Sequence, residues 1–190
     1  MSKDLSTELP EPRISSLLFA DTKLSILWLL IRIYVGWEWL SAGYEKVTSS
    51  AWVGGQAGTA LHGFLMGALA KSGGAHPDVS GWYGGFLQGF VIPNQVFFSY
   101  LVTYGELLVG IALIIGAFTG IAAFSGAFMN MNYLMAGTVS TNPVLFLLEL
   151  FLILAWRVAG WWGLDRFLLP LLGTPWQGGK LFSKPKVINE

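Results

Sequence analysis

The chain has 190 residues, 54% of them hydrophobic and 12% charged, with 11 basic side chains balanced by 11 acidic ones. Soluble domains carry about 25% charged residues, so the composition points to lipid as the surrounding solvent, and zero net charge gives nucleic acid no electrostatic foothold. With no cysteine and two histidines, His62 and His76, the sequence excludes disulfides, thiolate chemistry and iron–sulfur clusters, and it offers neither a metal site nor a bis-histidine haem within its helices.

Residues 1–23 are polar and mixed in charge and read as a cytosolic tail, with a short surface-lying stretch over 14–20. They are not expected to be a cleavable signal, because the apolar run that follows is too long for a signal core. Four runs then reach the roughly 20 residues that a bilayer crossing needs: 24–47, 96–118, 120–139 and 143–162. Pro93 and Asn94 precede the second, Thr119-Gly120 turns into the third, and Thr141-Asn142-Pro143 opens the fourth with proline in its first turn, where the missing N–H costs nothing. The expected fold is an all-α membrane protein. It is a four-transmembrane-helix bundle over 24–172, with short interfacial helices in the long first outer loop and after the last span.

The outer loop, 48–95, carries Leu61, Phe64, Leu65, Ala68 and Leu69 on one helical face, and Trp82, Phe86 and Phe90 at helical spacing on a second. It reads either as an aromatic anchor or as a lid over a site within the bundle. After the last span, Gly163 to Leu169 forms an amphipathic helix that Pro170 should end, and 173–190 reads as a loosely ordered cytosolic tail. Lys3, Arg13, Lys23, Arg166, Lys180, Lys184 and Lys186 fall on one side of the four spans, against Lys71 and the edge residue Lys46 on the other. That bias predicts a multi-pass protein of the cell inner membrane with both termini in the cytoplasm. Gly36 and Gly43 on the first span, with Ala112-Gly116 and Ala122-Gly126 on the next two, supply small faces for close helix packing.

The residues a bilayer should reject carry the chemistry. Arg32 and Glu38 lie in the first span, Glu106 in the second and Glu149 in the fourth. At 1.5 Å per residue, Glu38 and Glu106 lie roughly 14 Å below the outer edge, Glu149 roughly 9 Å, and Asn130 and Asn132 roughly 10–14 Å. Polar groups from four helices thus share a layer, and the economical arrangement points them inward. Arg32 and Glu38 lie on different faces of one helix, so one of them could instead meet another subunit. Arg32 with Glu106 could be a static ion pair fixing helix register. Alternatively the layer is a proton-handling or anion-binding site, since its carboxylates outnumber its arginines. Trp37 and Trp39 are deep enough to be pocket walls. Without thiols, haem or metal, redox chemistry here needs a diffusible cofactor such as quinone, held in an apolar slot beside hydrogen-bonding groups.

The pattern Arg32-x3-Gly36-x6-Gly43-x2-Lys46, followed by Gly105-Glu106-x3-Gly110-x5-Gly116-x2-Thr119, resembles the DoxX family of four-helix membrane proteins. Trp37-Glu38-Trp39-Leu40, Met129-Asn130-Met131-Asn132-Tyr133, Ser140-Thr141-Asn142-Pro143, Gly163-Leu164-Asp165-Arg166 and Gly173-Thr174-Pro175-Trp176 resemble its DoxD-like branch. The resemblance implies the membrane subunit of a thiosulfate:quinone oxidoreductase, which oxidises thiosulfate to tetrathionate, passes electrons to quinone, and works with a second subunit. On this reading Glu38, Glu106 and Glu149 transfer protons. Arg32 and Lys46 attract the anion, and Arg32, Trp39 and Asn130 hold the quinone. The expected partners are membrane lipid, quinone, and a second subunit or further copies of the chain. The rival readings are a non-catalytic scaffold of a respiratory complex and, ranked last for want of inverted repeats, a small-solute transporter.

Overall fold

A computed structural model describes residues 12–174 and 177–182. Of the tails expected over 1–23 and 173–190, residues 1–11 and 183–190 lie outside the described residues. Helix α1 (Arg13–Phe19) leads through a single 3-10 turn into α2 (Ser25–Val47). The outer connection holds α3 (Thr59–Ala70) and α4 (Gly81–Phe86), and α5 (Gln95–Ile115) and α6 (Thr119–Met135) follow. The chain then forms α7 (Asn142–Leu154), α8 (Trp156–Ala159) and α9 (Asp165–Leu172), and ends in a two-stranded ladder, β1 (Gly173–Thr174) and β2 (Gln177–Gly178). The described part is therefore mostly helical. Two stretches are long and apolar enough to cross a membrane, Thr22–Val47 and Gly81–Ile115. Helices α6 and α7 are shorter, at 17 and 13 residues.

Several boundaries differ from expectation: the third run ends as a helix at Met135, and the fourth breaks after Leu154, with only α8 beyond it. Pro93 does not separate the outer loop from the second long helix. Helical structure runs from Gly81 to Ile115 without a gap, through a π-type turn (Leu87–Val91) and a 3-10 turn (Ile92–Asn94). Proline removes one donor from the ladder, and the altered turns absorb that loss. Gln95 N donates to Ile92 O, and the Asn94 side chain donates to Phe90 O at 2.8 Å. Pro170 lies inside α9, which runs two residues beyond it. Among the described residues beyond Leu172, β1 pairs with β2, and Leu181 N donates to Leu171 O at 3.2 Å, so this part folds back on α9.

The packing of α2 on α5 is set by glycine. Gly36 lies against Leu113 and Ile114, Gly43 against the backbone of Leu107, and Gly110 against the backbone of Leu40. No side chain separates the two helices at these points, so their backbones approach as small-residue faces allow. Helices α6 and α7 complete the bundle, and the core between the four is apolar, with Trp28, Val35, Leu113, Ala123 and Leu152 buried. A second cluster packs α3 against α4, around Leu61, Leu65, Tyr83, Leu87 and Ala136.

The far end of the bundle is tied by Asp165. Its two carboxylate oxygens accept from Phe118 N (2.6 Å) and Thr119 N (2.8 Å), capping α6, while Asp165 N donates to Gly116 O at 2.8 Å. Gly116 has φ +67°, and a side chain there would collide with the Arg32 guanidinium. Arg32 is fully buried, donates from Nη2 to Trp162 O at 3.0 Å, and interacts electrostatically with Asp165.

Two predictions follow from this packing. A Cβ at Gly43 would fall 2.5 Å from Leu107 N. Gly43→Val should therefore lower stability by about 3 kcal/mol, the upper range for overpacking. Gly63→Ala, whose Cβ meets nothing within 4 Å, should hold or raise stability by about 0.5–1 kcal/mol. Thermal unfolding in detergent micelles measures both. Asp165→Asn removes the charge facing Arg32 and replaces one capping acceptor with a donor; a loss of about 1–3 kcal/mol is expected in the same assay.

Candidate functional site

The polar residues of α2, α5 and α6 converge near the end of the bundle that α3 covers. The Lys46 ammonium lies 2.7 Å from Glu106 Oε2, joining α2 to α5. Tyr133, on α6, donates its hydroxyl to Glu106 Oε1 at 2.6 Å. Both oxygens of Glu106 are thus engaged, and its side chain is 1% exposed. Such a pair persists because each partner offsets the desolvation of the other. The Lys46 ammonium also sits 5.2 Å from the centroid of the Trp52 ring.

A second group lies beside the first. Glu149, on α7, is fully buried and accepts two hydrogen bonds, from Trp39 Nε1 at 2.5 Å and from Asn130 Nδ2 at 2.7 Å. Gly126 makes room for it: a Cβ there would lie 2.5 Å from Glu149 Oε1 and 2.9 Å from Trp39 Nε1. Asn130 is itself fully buried, and its Oδ1 has no hydrogen-bond partner.

Between the two groups lies a cavity of about 310 Å³. Its polar lining includes Glu38, Lys46, Glu106, Asn130 and Tyr133, with Trp39 and Trp52 as aromatic walls. Leu61 and Phe64 of α3 close it from the outer loop, so that loop covers the site as well as bearing aromatics. An apolar groove of about 450 Å³ adjoins it, running between α3, α4, α5 and α6 and lined by residues such as Phe86, Leu101, Gly105, Phe124 and Met129. Cavity and groove share Leu61, Phe64, Val102 and Tyr133. The Phe64 and Tyr133 rings meet edge to face, with centroids 6.0 Å apart. The arrangement can hold a small polar head group among a cation, carboxylates and an amide, with an apolar tail in the groove.

Of the residues singled out from sequence, Glu38, Lys46, Trp39, Glu106 and Asn130 line this one cavity. Glu149 stands one layer behind, reaching it through Trp39 and Asn130. Arg32 lies elsewhere: it neither lines the cavity nor pairs with Glu106, but sits on another face of α2, donating to Trp162 O and facing Asp165, with Nε and Nη1 buried without hydrogen-bond partners. Lys46 takes the place expected for it opposite Glu106. Trp37 is also corrected: it is 61% exposed, its side chain being directed away from the bundle. Sequence reasoning missed Tyr133 and Trp52 as site residues, and Thr138, Thr141 and Asn142, which line the cavity from the connection between α6 and α7. Tyr133 had a usable signal, since it follows Asn130 by three residues and so shares its helix face. Trp52 had none, since its place depends on how the outer loop folds back.

The DoxX family model matches residues 27–139, more than half the chain. That span runs from α2 to the end of α6 and contains every cavity residue named above except Thr141, Asn142 and the supporting Glu149. No curated protein and no solved structure matches the chain. On the match over 27–139, with two helices able to span a bilayer, this chain belongs to the DoxX family of membrane proteins, whose members are often oxidoreductase-associated subunits.

Proposed function

We propose that the chain is the membrane subunit of a quinone-linked oxidoreductase of the DoxD-like kind, with thiosulfate as the electron donor. The observation that carries this reading is that the polar cavity and the apolar groove adjoin, sharing Leu61, Phe64, Val102 and Tyr133 in their lining. A quinone is a polar ring on an apolar tail, and pockets for such ligands are mostly apolar with a few placed polar groups. The ring would sit in the cavity against Trp39 and Tyr133, with Lys46 donating to a carbonyl. The isoprenoid tail would follow the groove toward lipid.

In the overall reaction, two thiosulfates couple through a new S–S bond to give tetrathionate, releasing two electrons, and quinone takes those electrons with two protons to become hydroquinone. Glu106 and Glu38 are the carboxylates at the cavity wall that would deliver the protons, with Tyr133 on the path to Glu106. Lys46 supplies the cavity's positive charge, largely offset by Glu106, so thiosulfate oxidation belongs at the mouth of the site or on a second subunit.

The membrane setting is part of the proposal. The helical run ending in α5, together with α2, α6 and α7, forms four spans, with both termini in the cytoplasm of the cell inner membrane. Support comes from the Lys/Arg bias and from the ring of large apolar side chains on the bundle's outside: Leu30 is 64% exposed, Leu108 64%, Phe124 63% and Leu147 52%. In water such a surface would drive aggregation; in lipid it is the ordinary exterior.

One observation favours a second reading, a non-catalytic accessory subunit. Lys46 and Glu106 satisfy one another, as a purely structural pair would. Glu106→Gln separates the two. It keeps shape and the Tyr133 contact, leaves Lys46 without its counter-ion, and cannot deliver a proton. Quinone reduction by the purified protein in lipid, with thiosulfate as donor, should fall by a factor of about 100 or more, typical of losing an acid–base group, while the melting profile remains that of a folded protein. Turnover retained in Glu106→Gln supports the accessory reading. Gly105→Phe would fill the groove. It should raise KM about ten-fold for a long-tailed quinone and leave a tail-less quinone unaffected, on the scale of a few lost apolar contacts.

A further inference from the structure

The carboxamide of Asn130 gives the cavity a hydrogen-bonding sense. Glu149 accepts from Trp39 Nε1 on one oxygen and from Asn130 Nδ2 on the other. A carboxylate can only accept, so it selects the NH2 edge of the amide and turns the carbonyl edge away. Asn130 lines the cavity, Glu149 does not, and Asn130 Oδ1 is buried without a partner. A buried acceptor left unsatisfied is costly. Whatever fills the cavity lowers that cost only if it brings a donor.

Two of the other polar groups are already committed, while Glu38, Thr138 and Thr141 also line the cavity. The Tyr133 hydroxyl and the Lys46 ammonium are both on Glu106. Lys46, with three N–H groups, keeps donating capacity toward a ligand oxygen. The cavity thus offers a donor at Lys46 and an acceptor at Asn130. The oxidised quinone has only acceptors, so it can answer Lys46 and the threonine hydroxyls but leaves Asn130 Oδ1 without a donor. Hydroquinone has hydroxyls, which accept from Lys46 at one end and donate to Asn130 at the other.

We infer that the Trp39–Glu149–Asn130 chain makes this site selective for the hydroquinone over the quinone, with Asn130 as the specificity residue and Glu149 and Trp39 as positioning residues. The inference rests on the quinone reading above and deepens it. One hydrogen bond made to a buried acceptor corresponds to about a ten-fold preference. For a two-electron couple, ten-fold tighter binding of the reduced form raises the potential of the bound quinone by about 30 mV, which favours electron flow into the site.

The logic also predicts how to invert the preference. In Glu149→Gln, the new amide oxygen still accepts from Trp39 Nε1, and its NH2 now faces Asn130. Asn130 must then turn its carbonyl to Gln and present NH2 to the cavity. The site becomes a donor and should hold the quinone at least as tightly as the hydroquinone.

The test is anaerobic equilibrium binding to the full chain in lipid nanodiscs, using a short-tailed benzoquinone, its hydroquinone and the dimethyl ether of that hydroquinone. The expected result is hydroquinone about ten-fold tighter than either other ligand in the wild type, and that preference abolished or reversed in Glu149→Gln. A structural role for Glu149 alone would weaken all three ligands together and leave their ratios unchanged, which would overturn the inference. Equal wild-type binding of all three would overturn it too, while leaving the quinone site standing, and it needs no variant to fold. If none of the three binds, the quinone reading and this inference fail together.

Discussion

Where α2 crosses α5, no side chain intervenes at Gly43 or Gly110, and the two backbones are in contact with Leu107 and Leu40. That close approach sets everything polar in the molecule. It brings Lys46 and Glu106 within 2.7 Å of each other. It also turns Trp39 toward α7, where Glu149 receives its indole N–H. A helix separation larger by one methyl layer would pull both groups apart and leave buried charges uncompensated, a far larger cost than the packing itself. Glycine at these places positions the site as much as it stabilises the bundle.

The two ends of the bundle divide the work. At one end, Asp165 fastens α9 to the turn between α5 and α6, and Arg32 completes the fastening through Trp162. Both carboxylate oxygens of Asp165 are satisfied by backbone N–H groups, while Arg32 keeps Nε and Nη1 buried without hydrogen-bond partners. At the other end, the cavity is roomy, and Asn130 keeps an acceptor without a partner. Arg32 and Asp165 tie elements together at the far end, while Asn130, Lys46 and Glu106 line the cavity.

Helix positions could largely be read from apolar runs because lipid and core alike demand them, and counting residues along each helix brought Glu38, Glu106 and Asn130 to one level, where they line one cavity. Rotation about each helix axis could not be read in the same way. Arg32 and Glu38 sit on one helix with similar claims to the interior, and only the neighbours decide: α5 meets the glycine face, while Gly116 and Trp162 capture Arg32. Pro93 misled for a related reason. Proline removes one donor, but whether a helix stops there depends on whether the freed carbonyls find others, and Asn94 supplies one. The resemblance over the DoxX motifs agrees with the family match across 27–139, yet it says nothing of Trp52 or Phe64, whose part in the site depends on an outer loop that reaches back over the bundle.

The central claim is that one amphiphilic ligand occupies cavity and groove together. Photo-crosslinking with an azido-benzoquinone, followed by peptide mapping, tests it most directly. Label carried by the ring should fall on α6 near Tyr133 and on α3 near Phe64, and be displaced by excess unlabelled quinone. Specific label found instead around Thr119, Trp156 and Leu168, in the apolar cavity at the opposite end of the bundle, would contradict the account.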